Sequence, residues 1–255
     1  MYTPRFYRTW VSRGRLCRFR IIRNESDIEI AAERDLSLEA CEALYRAREK
    51  IEEYGKHHPD FLTSFSPVCV EESAPGIVRK MAGASSQWDV GPMASVAGAV
   101  AAAVGESLSA HSETVIAENG GDVYVRSPRR VNCVLYAGAG SPFSGRICFS
   151  VHAPDGMGIC TSSGTVGHSV SLGRAAAVTV IAGDCAEADS AATAIANRIS
   201  APADVDEQLE KLKDMAGVVG VIACCGRRLA SRGVGLTGIE EEGHDENYSR
   251  EPFAR

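Results

Sequence analysis

The 255-residue chain reads as an α+β protein. Three observations predict this: three helical stretches between residues 37 and 108, strand-like runs in succession from Glu113, and helices again before a last apolar strand. Strands grouped apart from helices build antiparallel sheets with helices packed on them. A doubly wound sheet would alternate single strands with single helices.

Residues 15–23, RLCRFRIIR, partly alternate arginine with apolar residues and are followed by the turn-like NES and the alternating DIEIAAE. This predicts a β-hairpin within about residues 1–35 whose basic strand faces an acidic one through cross-strand ion pairs. The first 23 residues hold seven Arg and no acid. A nucleic-acid partner is not expected, because the remaining body is acidic and has neither an RNA-binding motif nor a basic recognition helix.

A helix is expected over residues 37–54, capped by Ser37, with Leu38, Cys41, Leu44, Tyr45, Ile51 and Tyr54 on one side. HHPDFLTSFSP breaks the pattern. A second helix is expected over about 75–84, and a third from Pro92, favoured at a first helical position, to Leu108. The third has almost no side-chain bulk: Ala94, Ser95, Ala97, Gly98, Ala99 and Ala101 to Ala103, with Glu106 its only charge. Such a helix is buried, either in close packing or as one wall of a flat cofactor pocket.

Next come TVIAEN, DVYVR, VNCVLYAG, RICFSV, GICTSS and AAAVTVIAG, separated by Gly, Pro and Ser turns. A helix follows through ADSAATAIANRI, with Asp184 as cap and Glu187 three residues on. Another helix over about 204–215 precedes the strand VVGVIACC. One domain is expected over residues 1–235. The tail at 236–255, with six acids and two Arg, is expected to be disordered.

Composition excludes several classes. A chain that is 45 % hydrophobic and 24 % charged, with a net charge of −6, is an ordinary globular composition. The longest run near the middle without charge or strong polarity, residues 91–105, is shorter than the roughly 20 apolar residues of a membrane span. MYTPRFYRTW lacks the apolar core of a secretory signal. A cytoplasmic location with no membrane partner is therefore expected. The nine cysteines are odd in number and contain no C-x-x-C pair, which removes zinc-ribbon and thioredoxin readings. They are expected to be reduced, small buried hydrophobes, the adjacent Cys224 and Cys225 included.

Three segments are denser in polar and glycine residues than turns require. In ENGGD, Gly120-Gly121 makes a good hairpin turn, which leaves the flanking Asn119 and Asp122 unexplained. In GICTSSGTVGHS, Thr161, Ser162, Ser163 and Thr165 surround Gly164 and Gly167, a combination of hydroxyls and turn N–H groups that can hold a phosphate. His168 in the same segment is a candidate acid or base near neutral pH. Neither G-x-x-x-x-G-K-[ST] nor a G-x-G-x-x-G opening a helix is present, and the absence of G-x-S-x-G excludes a Ser/His hydrolase of that type. Asp189 and Thr193, four apart on one helical face, are hard oxygen donors suited to Mg²⁺. Asp189 near a helix start also complements the dipole.

In this order, GPMASVAGAVAAAV, ENGGDVYV, GICTSSGTVGHSVSLGRAAAV and ADSAATAIANR resemble the ApbE-like proteins, distant relatives of the FAD:protein FMN transferases. The resemblance covers roughly residues 85–200 and extends to YRTW near the N-terminus. It implies an α+β, tunnelling-fold-like architecture of antiparallel sheets and packed helices. It also implies FAD or another flavin nucleotide as a small-molecule ligand, with Asn119, Gly120, Gly121 and Asp122 lining the pocket and Thr161, Ser162, Ser163 and Gly164 beside it. Mg²⁺ would sit at Asp189 and Thr193, His168 would be the catalytic candidate, and the activity would be FMN transfer.

The chain departs from the transferase pattern in three places. The transferases carry an H-I-I-D-P-like segment downstream of T-S-G, whereas here His168 lies a few residues downstream in GHS. Their D-L-G-G-I-A-K-G-like segment corresponds to GPMASVAGAV, without acid or lysine, and the G-R-A-D-A expected of the ApbE-like branch itself reads Gly173-Arg174-Ala175-Ala176-Ala177 here, without the carboxylate. The resemblance equally implies an alternative, a non-catalytic accessory role with a protein partner in sulfide assimilation of anaerobes. Exposure of the last strand or of the Ala-rich helix would support a homodimer, and burial within one chain explains both equally.

Overall fold

The computed structural model describes residues 16–164, 172–212 and 217–238. Its strands form one antiparallel sheet in which β1 (Cys17–Arg23), β2 (Ser26–Ala32), β3 (Val115–Asn119), β4 (Asp122–Val134), β5 (Ile147–Ser162), β6 (Ala177–Ala182), β7 (Val218–Cys225) and β8 (Arg228–Arg232) lie side by side in chain order. A short β9 (Thr237–Gly238) pairs with β5. The helices are α1 (Ser37–His57), α2 (Pro59–Thr63), α3 (Gly76–Trp88), α4 (Val96–Leu108), α5 (Cys185–Arg198) and α6 (Asp204–Glu210), with a 3-10 turn at Pro92–Ser95 leading into α4. The α+β expectation holds. No single helix among the described residues is long and apolar enough to cross a membrane.

Alternation along each strand divides the apolar side chains between two cores. On β6 and β7, Val178, Val180, Val221 and Ala223 face the helices, in one cluster with Ile195 of α5 and Val100 and Val104 of α4. Their neighbours Ala177, Ile181, Ile222 and Cys224 belong to a second cluster with Leu135, Phe149 and Val151. That second cluster is closed by the far half of the β4–β5 ribbon, folded over the sheet.

The fold of that ribbon corrects the expectation of four separate strands. DVYVR and VNCVLYAG join in β4, and RICFSV and GICTSS join in β5. Two opposed bulges absorb the turn-forming residues. Pro154, Asp155 and Gly156 stand opposite Arg126 alone, and Pro128, Arg129 and Arg130 stand opposite His152 alone. Bulges of this kind bend a ribbon without ending it and leave each proline out of the regular ladder.

Other corrections are local. Ser37 does not cap α1. It is the first helical residue, and Asp35 accepts its backbone N–H at 2.9 Å. The buried face of α1 is Ala40, Leu44, Ala47, Ile51 and Tyr54, whereas Leu38, Cys41 and Tyr45 are exposed. Leu36, just before the helix, fills the core in place of Leu38. α3 runs four residues past its expected end, and α2 forms within the segment expected to break the pattern. The segment expected to be disordered from residue 236 is ordered at its start, where Thr237 and Gly238 pair with β5. The helix expected over 204–215 ends at Glu210, and residues 213–215 and 239–255 lie outside the described residues.

The N-terminal hairpin has the expected cross-strand ion pair. Arg20 donates to both carboxylate oxygens of Asp27, at 2.6 and 2.7 Å. β7 lies between β6 and β8, and most of α4 is buried against α1, α5 and the sheet.

Candidate functional site

The site is built where the β3–β4 hairpin tip, the start of α4 and the first turns of α5 meet. Asn119 pairs with Asp122 across a two-residue turn in which Gly120 and Gly121 both have positive φ, 75° and 109°. This is the turn that matches strand twist and demands glycine. The turn also places Asn119 and Asp122 on the helix-facing side of the sheet, in step with Ala117 and Tyr124. Asn119 donates its side-chain N–H to the Ala97 carbonyl at 3.2 Å. Asp122 accepts the backbone N–H of Thr161 at 3.2 Å.

α5 begins as its sequence predicts. Asp184 caps it by accepting the N–H groups of Ala186 and Glu187 at 2.8 and 3.1 Å. Glu187 does not return the bond, and instead meets the Gln87 side chain at 3.2 Å. One turn on, Asp189 is buried against α4 and accepts the backbone N–H of Gly98 at 2.9 Å. Burial first, and then the negative charge of Asp122, raise the Asp189 carboxyl well above the usual carboxylate range, against the pull of the Gly98 and Ala97 N–H groups. Thr193, half-buried, follows one turn along the same face.

Cys160 is fully buried beside the two carboxylates. Burial, with Asp122, Asp189 and Cys185 adding to it, pushes its thiol up, which keeps it protonated and inert. Its Sγ donates to the Cys185 carbonyl at 3.4 Å.

Of the residues expected at the site, Asn119, Asp122 and Asp189 come together, with Thr193 adjoining. Gly120 and Gly121 shape the turn. The Thr161 backbone joins through Asp122, but its hydroxyl meets Thr179 at 2.8 Å, on the sheet face away from α5. Ser163 donates its hydroxyl to the Ala176 carbonyl at 2.7 Å, and Gly164 donates its N–H to the Ala175 carbonyl at 2.9 Å. Ser162 alternates with Thr161 and so falls on the Cys160 side of β5. His168, Thr165 and Gly167 lie outside the described residues.

Cys160 was not expected at the site, and Ala97 and Gly98 were expected there only as part of the small-residue helix, without a partner. The available signal was the spacing of Gly98 and Gly105, two turns apart in an otherwise Ala-rich helix. A Cβ on Gly98 would lie 2.9 Å from the Asp189 Cβ and against the Cys185 carbonyl, and one on Gly105 would enter the Tyr124 ring. The small residues of α4 thus serve close packing at both positions.

Among the described residues, no three His, Cys, Asp or Glu side chains are grouped to hold a metal by themselves. Asp189 and Thr193 are nevertheless oxygen donors of the type Mg²⁺ prefers, and Mg²⁺ commonly takes one or two protein oxygens and completes its shell with water and phosphate. Two grooves, of about 650 and 480 Å³, lie elsewhere: one between α3 and α4 around Lys80 and Glu106, the other around Tyr54 and His57.

Comparison with known proteins places this geometry in context. A family model described as AbpE bacteria matches residues 8–223. A UPF0280 protein of Methanococcus aeolicus is 40 % identical over 209 residues, 79 % of this chain and 84 % of that protein. A UPF0280 protein of Methanocaldococcus jannaschii is 41 % identical over 222 residues, 84 % and 89 % of the two chains. Among solved structures, the flavin transferase ApbE from Vibrio cholerae superposes with a TM-score of 0.57 over 85 % of this chain and 96 % of that one, at 12 % identity. The flavinyl transferase ApbE of Pseudomonas stutzeri, apo form, gives 0.55 over 91 % and 96 %, at 15 % identity. At these identities the likeness shows the fold.

Proposed function

The chain belongs to the AbpE bacteria family, and on that premise we propose that it binds a flavin nucleotide, FAD foremost, together with Mg²⁺ at the junction of Asn119–Asp122, Thr161–Gly164 and α5. One observation carries this reading: Asp122 and Asp189 are buried beside each other. The influences on the Asp189 charge are burial, Asp122 and two backbone N–H groups. Two neighbouring buried carboxylates hold their charge poorly without a cation. A divalent ion supplies that countercharge, and the phosphates of a nucleotide supply the oxygens that Asp189 and Thr193 leave open.

Transfer of FMN to a protein hydroxyl asks two further things of such a site: neutralisation of the pyrophosphate charge, and a base near the acceptor hydroxyl. Asp189 and Thr193 would hold the cation that serves the first. His168 is the candidate for the second.

The test is a titration of the purified, reduced protein with FAD, followed by flavin fluorescence anisotropy with Mg²⁺ or with EDTA, on the wild type and on Thr193→Val. We expect binding that requires Mg²⁺ and weakens by about tenfold or more in the variant, the scale of loss when a metal site is disturbed. No binding of FAD or FMN under either condition would overturn the proposal.

A further inference from the structure

α4 begins at Val96, yet Ser95, the residue in the capping position, makes no side-chain bond to the helix. Its hydroxyl is turned back and donates to the Pro92 carbonyl at 2.8 Å. A local cap would serve the N–H groups of the second and third helical residues, here Ala97 and Gly98. Asp189 of the neighbouring helix takes the Gly98 N–H at 2.9 Å, and the Ala97 N–H is close enough to favour the charge on the same carboxylate. Only glycine at position 98 lets the carboxylate come this close. On the other side of the same turn, Asn119 holds the Ala97 carbonyl at 3.2 Å. The first turn of α4 is therefore pinned by two side chains remote in sequence.

We infer that Asp189 is the N-terminal cap of α4, supplied from α5, and that a cation held at Asp189 is bound at the expense of this cap. A carboxylate bound to a divalent ion gives up electron density that its N–H donors otherwise use, so the ion and the first turn of α4 draw on the same group. Asp189 is in this sense a positioning residue, and α4 is the element that registers the ion. The second half of the inference rests on the metal reading above; the first half does not.

The experiment is residue-resolved amide hydrogen exchange on the full chain, comparing wild type, Asp189→Ala and Asp189→Asn without metal, and then wild type with MgCl₂ and FAD. In Asp189→Ala, Ala97 and Gly98 should exchange about two- to thirtyfold faster, the range spanned by loss of a helix cap. Asp189→Asn keeps an acceptor oxygen and should lie closer to wild type. The Val180 amide in β6, inside the sheet, should keep its rate in both variants, which separates a lost cap from a damaged fold.

Wild-type rates at Ala97 and Gly98 in Asp189→Ala would overturn the cap. If calorimetry shows Mg²⁺ and FAD bound while these two amides keep their metal-free rates, the competition is overturned and the binding site stands. If Mg²⁺ and FAD do not bind, the metal reading fails and takes the competition with it, and the variants still decide the cap.

Discussion

Gly98 donates its backbone N–H to the Asp189 carboxylate at 2.9 Å, at a point where a Cβ on residue 98 would lie only 2.9 Å from the Asp189 Cβ. This contact joins α4 to α5, and through Asn119 and the Ala97 carbonyl it joins both to the β3–β4 hairpin. The candidate site exists because three segments far apart in sequence are drawn to backbone distance there.

Gly98→Ala should therefore cost more than its one methyl group implies. α4 and α5 would have to separate, and overpacking of this kind destabilises by about 1–3 kcal/mol. Ala99→Gly, one residue away at a buried position of the same helix, makes a chemically comparable change without forcing the helices apart. Thermal unfolding should show the lowered stability of Gly98→Ala, and amide exchange should show the lost Asp189 contact as faster exchange at residue 98 in that variant and not in Ala99→Gly.

Much of this was readable in advance because local chemistry and tertiary packing agree. Asp184 caps α5 as its position predicts, and Gly120-Gly121 forms the turn that glycine pairs favour. Reading fails where tertiary packing decides. Pro128 and Pro154 look like strand ends, but the ladder bulges around them because the folded ribbon covers an apolar sheet face. Leu38 matches the helical period of α1, yet it is 84 % exposed because Leu36 occupies the core position instead. The juxtaposition of Asp122 and Asp189 leaves no trace in spacing, since 66 residues separate them and the packing of α5 on β4 and β5 brings them together.

The cysteines should divide by burial. Cys41 and Cys69 are exposed, whereas Cys160, Cys185 and Cys224 are buried, the Cys224 thiol being pushed up to about 11 first by burial. Alkylation of the native protein with iodoacetamide at pH 8, mapped by peptide mass, should modify Cys41 and Cys69 first. Cys160, Cys185 and Cys224 should react only after unfolding, because the thiolate is the reactive form. Early labelling of Cys160 would contradict the packing described for the site.

Tyr54 supplies a pH dependence far from the site. Burial, and then its hydrogen bond to Glu71 at 2.9 Å, push its hydroxyl up to about 12, so it stays protonated in the folded state after the unfolded chain has lost that proton. A raised folded pKa contributes stability below the unfolded value of about 10 that is lost as the pH rises toward 12. Urea unfolding at pH 9 and pH 11 should show a larger alkaline loss in the wild type than in Tyr54→Phe. Equal losses would mean that the Tyr54 hydroxyl titrates as it does in the unfolded chain.

The central claim is that the junction of Asp122, Asp189 and Thr193 binds a flavin nucleotide through a divalent cation. Isothermal titration of FAD into the wild type and into Asp189→Asn, each with MgCl₂ and with EDTA, tests it most directly. The account predicts heat of binding only for the wild type with Mg²⁺, and its loss in Asp189→Asn while the variant keeps the wild-type circular dichroism. Equal FAD affinity in all four titrations, or none in any, would contradict it.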